Sequence, residues 1–253
     1  DTLLQTANST LGWPVSKTSR IASALYHAGH ITYIRTDSTR TNSDARNKIR
    51  NHIKEKYGES HLGPGVLGSD AKKGASNVQD AHEAIRPTRP ENTSISGADS
   101  GWKSLYGLIW ARFAASQMST SVRERRDLQA SVEGTDKALH GTASWRTHPG
   151  WEAVYAQYHG EVQTSPPDSP LTDGAVWKID VSEDNPFMKT DETKPPKRFS
   201  ESSIIQQMKK AGIGRPSTYV SIVKNLGNKG YVDVESNSLS PTEKGRTLWL
   251  QVV

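Results

Sequence analysis

Leu25-Tyr26-His27-Ala28-Gly29-His30-Ile31-Thr32-Tyr33-Ile34-Arg35-Thr36-Asp37-Ser38 carries the chain out of a helix and into an extended, partly buried segment. Upstream of it, Ser16 to His27 reads as an amphipathic helix, with Ser16 as N-cap and Ile21, Ala24, Leu25 and Ala28 along one side. Gly29 closes that helix, and His30 to Ile34 follows as the extended piece. If the segment is a regular strand, residues 33, 35 and 37 share one face, which sets a phenol beside a guanidinium. A free tyrosine hydroxyl has a pKa of about 10 and is a poor nucleophile unless its developing charge is stabilised. Arg35 could do that, or clamp a phosphate under attack with its planar fork of donors. A half-buried tyrosine beside a surface arginine is the plainer alternative.

Outward from this stretch, helices are expected at Thr2 to Leu11, at Ser43 to Tyr57 with Ser43 as cap, and at Ser104 to Met118. The last, with Leu105, Leu108, Ile109, Ala111, Phe113 and Met118, reads as the buried one. Residues 58–77 read as a loop. After Met118 the rhythm changes to short, partly alternating runs at Asp127 to Val132, Lys137 to Trp145, Trp151 to Tyr158 and Val176 to Val181, a β segment of hairpins. Gln163 to Asp173, with three prolines, reads as a surface loop, and Pro195-Pro196 marks a boundary. Ser200 to Ala211, a Gly212-Ile213-Gly214 turn, Ser217 to Lys229 and two short arms at Tyr231 to Val234 and Leu239-Ser240 give a winged helix-turn-helix pattern. A plain helical hairpin remains the alternative.

Two further clusters can bear chemistry. In Asp80-Ala81-His82-Glu83-Ala84-Ile85-Arg86-Pro87-Thr88-Arg89-Pro90, His82 and Arg86 would face the same way on a helical turn and could grip a phosphodiester, with His82 as proton-bearing donor. A solvated charged loop is the alternative. A metal site is disfavoured, because one His beside one Glu lacks partners at ligand spacing. In Gly212-Ile213-Gly214-Arg215-Pro216-Ser217-Thr218-Tyr219, Pro216 suits a first helical turn, and Ser217 and Thr218 lie near its free N–H groups. Such a helix start accepts phosphate, with Arg215 adding charge, or is simply capped. The Gly-Lys-Ser/Thr ending of a Walker loop is missing.

The 253 residues suffice for one to three domains, and a hydrophobic fraction of 33% is lean for one globule but too high for general disorder. Zero cysteines exclude disulfides, thiolate catalysis and zinc–thiolate sites. No apolar run approaches the ~20 residues of a membrane helix. A formal net charge of +5 mildly favours a polyanionic partner. No signal or transit segment is recognisable, and both ends read as cut, so the chain is expected to be a piece of a longer protein.

Together, in this order, the three clusters resemble the type IA DNA topoisomerases. Leu25 to Ser38 resembles their active-site signature, and Ala81 to Thr88 their phosphate-contacting segment. Leu105 to Trp110 with Ala114 to Met118 resembles the helix leaving the tyrosine domain, and Lys194 to Phe199 with Gly212 to Tyr219 the return into a DNA-gripping domain. The resemblance implies an α+β multidomain fold: a mainly helical active-site tyrosine domain over 1–120, a partial β arch over 121–198 and a partial winged-helix domain over 199–253. It implies that Tyr33 attacks single-stranded DNA to give a 5′-phosphotyrosine, with Arg35 at the scissile phosphate. His82, Arg86, Arg215, Ser217 and Thr218 would hold the backbone.

Strand passage and religation would then relax negatively supercoiled DNA without ATP. Mg2+ would be held by a Toprim domain whose acidic cluster this sequence lacks, so the chain alone should bind DNA and turn over poorly or not at all. Single-stranded or underwound DNA as partner, a monomer, no membrane association and a cytoplasmic, nucleoid-associated setting follow. Bacterial topoisomerase I is the first reading within the family, a reverse gyrase half the second. Topoisomerase III is less favoured, because it usually shows Pro where Ile34 stands. A catalytically inert nucleic-acid-binding module is the alternative from another class.

Overall fold

The computed structural model of the chain describes residues 1–36, 38–68, 83–158, 160–167, 174–176, 191–235 and 237–252. Asp37, Asp80 to His82, residues 69–77 and 168–173 of the two expected loops, and the expected strand beyond Val176 lie outside them. The elements in chain order are α1 (Thr2–Leu11), α2 (Val15–His27), α3 (Ser43–Tyr57), α4 (Ser100–Ala115), β1 (Val122–Ser131), β2 (Ala138–His148), α5 (Glu201–Lys210), α6 (Tyr219–Asn228), β3 (Val232–Glu235), β4 (Ser238–Pro241) and α7 (Glu243–Val252). Short 3-10 helices add Glu59–His61 and Gly150–Tyr158. This α+β chain forms two compact units, one of residues 1–122, 148–162 and 198–253, the other of 123–147 and 163–197. No helix among the described residues is long and apolar enough to cross a membrane.

The first unit is organised by α4. Its buried residues Leu105, Tyr106, Leu108, Ile109, Trp110, Ala111, Phe113 and Ala114 run all round the helix, the signature of a helix with neighbours on every side. Those neighbours are α1, α2, α3 and the 3-10 helix Gly150–Tyr158. Leu25, Ile31, Ile49 and Ile53 are fully buried in this core, each stabilising it by roughly 1.5–3 kcal/mol relative to exposure. A second core gathers Val15 with Ile205 and Met208 of α5 and Tyr219 and Val223 of α6. Three polar ties reinforce it: the Val15 N–H donates to Glu201 Oε2 at 2.7 Å, Lys209 Nζ meets Asp1 Oδ2 at 2.6 Å, and Asn8 Nδ2 donates to Asn237 Oδ1 at 2.9 Å. β3 and β4 pair antiparallel, Val232 opposite Pro241 and Glu235 opposite Ser238, as the wing after α6.

In the second unit β1 pairs with β2. Thr142 Oγ1 donates to Asp127 Oδ1 at 2.9 Å across the pair, and the Arg126 guanidinium lies 5.6 Å from the centre of the buried Trp145 ring. The Arg125 and Thr142 hydrogen bonds hold the Asp127 carboxyl below its usual range.

Four local expectations need correction. Trp151 to Tyr158 is a 3-10 helix, in which the neighbours Val154 and Tyr155 are both buried, where a half-buried strand would alternate. Ser16 lies inside α2. The helix starts after Pro14 with no local side-chain cap, and Glu201 from a distant helix accepts the Val15 N–H instead. Asn42, not Ser43, caps α3, its Oδ1 accepting from the N–H groups of Asp44 and Ala45. The residues from His30 to Ile34 do not form a regular strand. Only Ile31 takes part in a bridge, to Pro87.

Candidate active site

The end of α2 dictates how Tyr33 is presented. Gly29, at φ +75°, takes the left-handed position after the last helical turn. The His30 N–H reaches back to the Leu25 carbonyl and the Gly29 N–H to the Tyr26 carbonyl, a Schellman motif that turns the chain sharply. The emerging segment is stitched to residues 84–88. The Thr32 N–H donates to the Arg86 carbonyl at 2.9 Å, the Arg86 N–H donates to Thr32 Oγ1 at 2.9 Å, and Thr32 Oγ1 donates to the Ala84 carbonyl at 2.7 Å. Thr88 closes the other end, its N–H on the His30 carbonyl and its hydroxyl on the Gly29 carbonyl at 2.6 Å. Ile31 and Pro87 are buried between them.

Tyr33 stands on this platform 42% exposed, its ring edge-on to Tyr26 with centroids 5.2 Å apart. Four other tyrosines are held in less accessible surroundings. Burial raises the phenols of Tyr57, Tyr155 and Tyr158, and burial together with Glu91 pushes Tyr106 up to about 12 while its hydroxyl donates to the Asn92 carbonyl. Arg35 is exposed. Beyond it, Thr36 Oγ1 accepts from the Ser38 N–H and Ser38 Oγ from the Arg40 N–H, so hydroxyls hold the turn. The Arg40 carbonyl takes the Ala84 N–H at 2.8 Å, a second tie to the partner segment. Gly68, at φ +79°, lies so close to the Thr39 backbone that a Cβ there would clash, which brings the loop before it against residues 39–41.

The second cluster is not helical over its described part, residues 83–90. Pro87 pairs across to Ile31 instead, and proline cannot continue a helix. Arg86 is largely buried and fully engaged: Nε and Nη2 meet Glu83 Oε2 at 2.7 and 2.6 Å, and Nη1 donates to the Pro87 carbonyl at 2.9 Å. His82 lies outside the described residues. In the third cluster Arg215, Ser217 and Thr218 are exposed on the turn before α6. Thr218 Oγ1 accepts from the Arg215 N–H at 2.8 Å and does not cap the helix. Arg215 Nη1 donates to the Gly214 carbonyl.

Residues flanking the candidate groups meet: one cavity of about 490 Å³ is lined by Thr36 and Ser38 of the first cluster, Ala84 and Ile85 of the second, and Pro216 and Tyr219 of the third, while Tyr33, Arg35, Arg86, Arg215, Ser217 and Thr218 do not line it. Arg112 and Lys209 also line it and were not anticipated. The sequence signal for Arg112 is a cation inside the most apolar helix of the chain, which a count of hydrophobic residues passes over. Among the described residues no three His, Asp or Glu side chains come together as a metal-binding group.

An α+β chain with an exposed tyrosine held on a hydrogen-bonded clasp, and a separate turn opening a helix of a winged pair, has counterparts among known proteins. The family described as DNA topoisomerase matches residues 1–252, and the chain belongs to it, in the type IA class. Its relatives include DNA topoisomerase 1 of Thermotoga maritima, 38% identical over 255 residues that cover 96% of this chain, and that of Escherichia coli, 36% identical over 246 residues and again 96%. The structure of full-length topoisomerase I from Thermotoga maritima superposes with a TM-score of 0.79 at 35% identity, covering 99% of this chain and 41% of that one. The chain spans 38% of the length of the Thermotoga maritima relative and 27% of the Escherichia coli one.

Proposed function

We propose that this chain supplies the tyrosine half of a type IA topoisomerase reaction on single-stranded or underwound DNA. The observation that carries the reading is the 42% exposed Tyr33, held on a segment hydrogen-bonded to residues 84–88. Tyr33 Oη attacks the phosphorus of a phosphodiester and gives up its proton. The P–O bond to the 3′ oxygen breaks, that oxygen takes up a proton to become a hydroxyl, and the phosphate remains on Tyr33 as a 5′-phosphotyrosine. Bond energy is kept in the new ester, so the reverse attack by the 3′-hydroxyl religates the strand without ATP. Strand passage in between relaxes negative supercoils.

Arg35 stabilises charge on the scissile phosphate from its exposed position next in line. Arg215, Ser217 and Thr218 grip the backbone of the cut strand at the start of α6, and His82 holds it as well. Arg86 is committed to Glu83 in this structure, and it reaches a phosphate only by exchanging one anion for another. Mg2+ would neutralise phosphate charge, held by acidic residues of a Toprim domain outside these 253 residues. The functional division is a tyrosine domain over 1–120, part of an arch over 121–198 and a DNA-gripping winged helix over 199–253. The protein works as a monomer in the bacterial cytoplasm, on the nucleoid.

The test mixes an end-labelled single-stranded oligonucleotide, Mg2+ and the chain, with and without the Toprim domain of a relative, and then denatures. Label should remain on the protein only when that domain is added, and Tyr33→Phe should abolish it. Label retained by Tyr33→Phe contradicts the assignment.

A further inference from the structure

His61 closes the 3-10 turn Glu59–His61, and His148 is the last residue of β2. Their rings lie 4.7 Å apart between centroids, tilted by 51°. Both are half-buried, and neither takes part in the chemistry above.

Two imidazoles on one cation, with metal–nitrogen bonds of about 2.0–2.1 Å, place their ring centres about 4.5–5.2 Å apart at angles from square to tetrahedral. The observed spacing falls in that window. The ring orientations are also held from behind. Ser119 Oγ donates its own proton to the Ser60 carbonyl at 3.0 Å, so it accepts from His148 Nε2, 3.3 Å away, which leaves Nδ1 as the ring nitrogen for another partner. His61 makes a hydrogen bond to the Tyr57 backbone and has Ser60 Oγ 3.4 Å from Nδ1. An oxygen acceptor fixing the tautomer from behind is the usual second partner of a metal-bound histidine.

The backbone keeps the two rings together. The Ser119 N–H donates to the His61 carbonyl at 2.8 Å, Leu62 bridges to Met118, and the Trp151 N–H donates to the Ser119 carbonyl at 2.9 Å. Ser119 thus links the 3-10 turn to the chain just after His148.

We propose that His61 and His148 form a two-histidine site for a zinc-like divalent cation (Zn2+, Cu2+ or Ni2+), with water completing the coordination. Imidazole suits these ions, whereas Mg2+ prefers an octahedron of oxygens, so the site is separate from any magnesium of the DNA reaction and independent of that reading. Among the described residues no third His, Asp or Glu joins the pair, which leaves the ion exchangeable. Bound, it ties the end of β2 to the Glu59–His61 turn and raises the unfolding temperature by mass action.

The experiment titrates the 253-residue chain with ZnCl2 by calorimetry in a large excess of Mg2+. The expected result is one equivalent bound with a dissociation constant on the order of micromolar. His61→Phe and His148→Phe keep an aromatic ring in place and should each weaken binding at least ten-fold with an unchanged circular dichroism spectrum. His140→Phe, on an exposed position of β2, should bind as the parent does. In parallel, Zn2+ should shift the ring signals of His61 and His148 in a 15N–1H spectrum of the parent. No binding, or folded His61→Phe and His148→Phe variants that bind as the parent does, overturns the proposal.

Discussion

Thr32 and Arg86 exchange hydrogen bonds in both directions, backbone N–H to carbonyl one way and backbone N–H to side-chain hydroxyl the other, each at 2.9 Å. This reciprocal clasp fixes the residue immediately before Tyr33. Thr32→Val keeps the branched shape but removes an acceptor for the Arg86 N–H and a donor for the Ala84 carbonyl. It should destabilise the chain by about 1–3 kcal/mol, and Thr32→Ser should recover most of that. Denaturant unfolding of the three proteins reads the difference directly.

The N-terminus of α2 borrows its cap from α5, through Glu201 Oε2 on the Val15 N–H. Glu201→Ala should cost about 1–2 kcal/mol, with Glu201→Gln losing less because an acceptor remains. Amide exchange at Val15 should speed up in both variants. Unchanged exchange there would mean that the helix start does not depend on α5.

His52 gives a pH dependence. Its Nε2 is buried without a hydrogen-bond partner among the described residues, and its ring meets Trp110 edge-on at 5.5 Å. Burial, then Lys56, lower its pKa below the ordinary 6.5, with Glu55 opposing. A histidine with a depressed folded pKa binds fewer protons folded than unfolded. Stability is therefore complete above about pH 6.5 and declines as pH falls through that value towards the folded pKa. His52→Phe should flatten the stability profile between about pH 7 and 5 at little cost at pH 7. Urea unfolding across that range checks it.

Arg215 is exposed on the turn before α6. Arg215→Ala should weaken single-stranded DNA binding similarly for different sequences and lower the slope of log affinity against log salt by about one. Fluorescence anisotropy at four salt concentrations measures it. A sequence-dependent loss would point to base contact instead.

Much of this architecture is legible in the sequence because local signals and burial agree. The all-round apolar pattern of Ser104 to Met118 reads as a buried helix, and α4 is one. Gly29 reads as a helix end because only a left-handed turn suits it, and the Schellman bonds follow. What the sequence does not disclose is long-range. The cap of α2 sits 186 residues away, so a local search settles on Ser16. The pairing of Ile31 with Pro87 replaces the regular strand and the helical turn that spacing alone implies. The Gly150–Tyr158 segment is rich in aromatics, which favour strands by propensity, yet it folds as a 3-10 helix with the neighbours Val154 and Tyr155 both buried. Arg112 and Lys209 reach the cavity only through packing of α4 and α5 in the first unit.

The assignment of Tyr33 as nucleophile is tested most directly by peptide mapping of the covalent complex formed on an oligonucleotide in the presence of Mg2+ and a relative's Toprim domain. After protease and nuclease digestion, mass spectrometry should place the added nucleotide phosphate on the peptide containing Tyr33, with the fragment ions assigning it to that side chain. A phosphate carried by any other residue, or a covalent complex that still forms with Tyr33→Phe, would contradict the account.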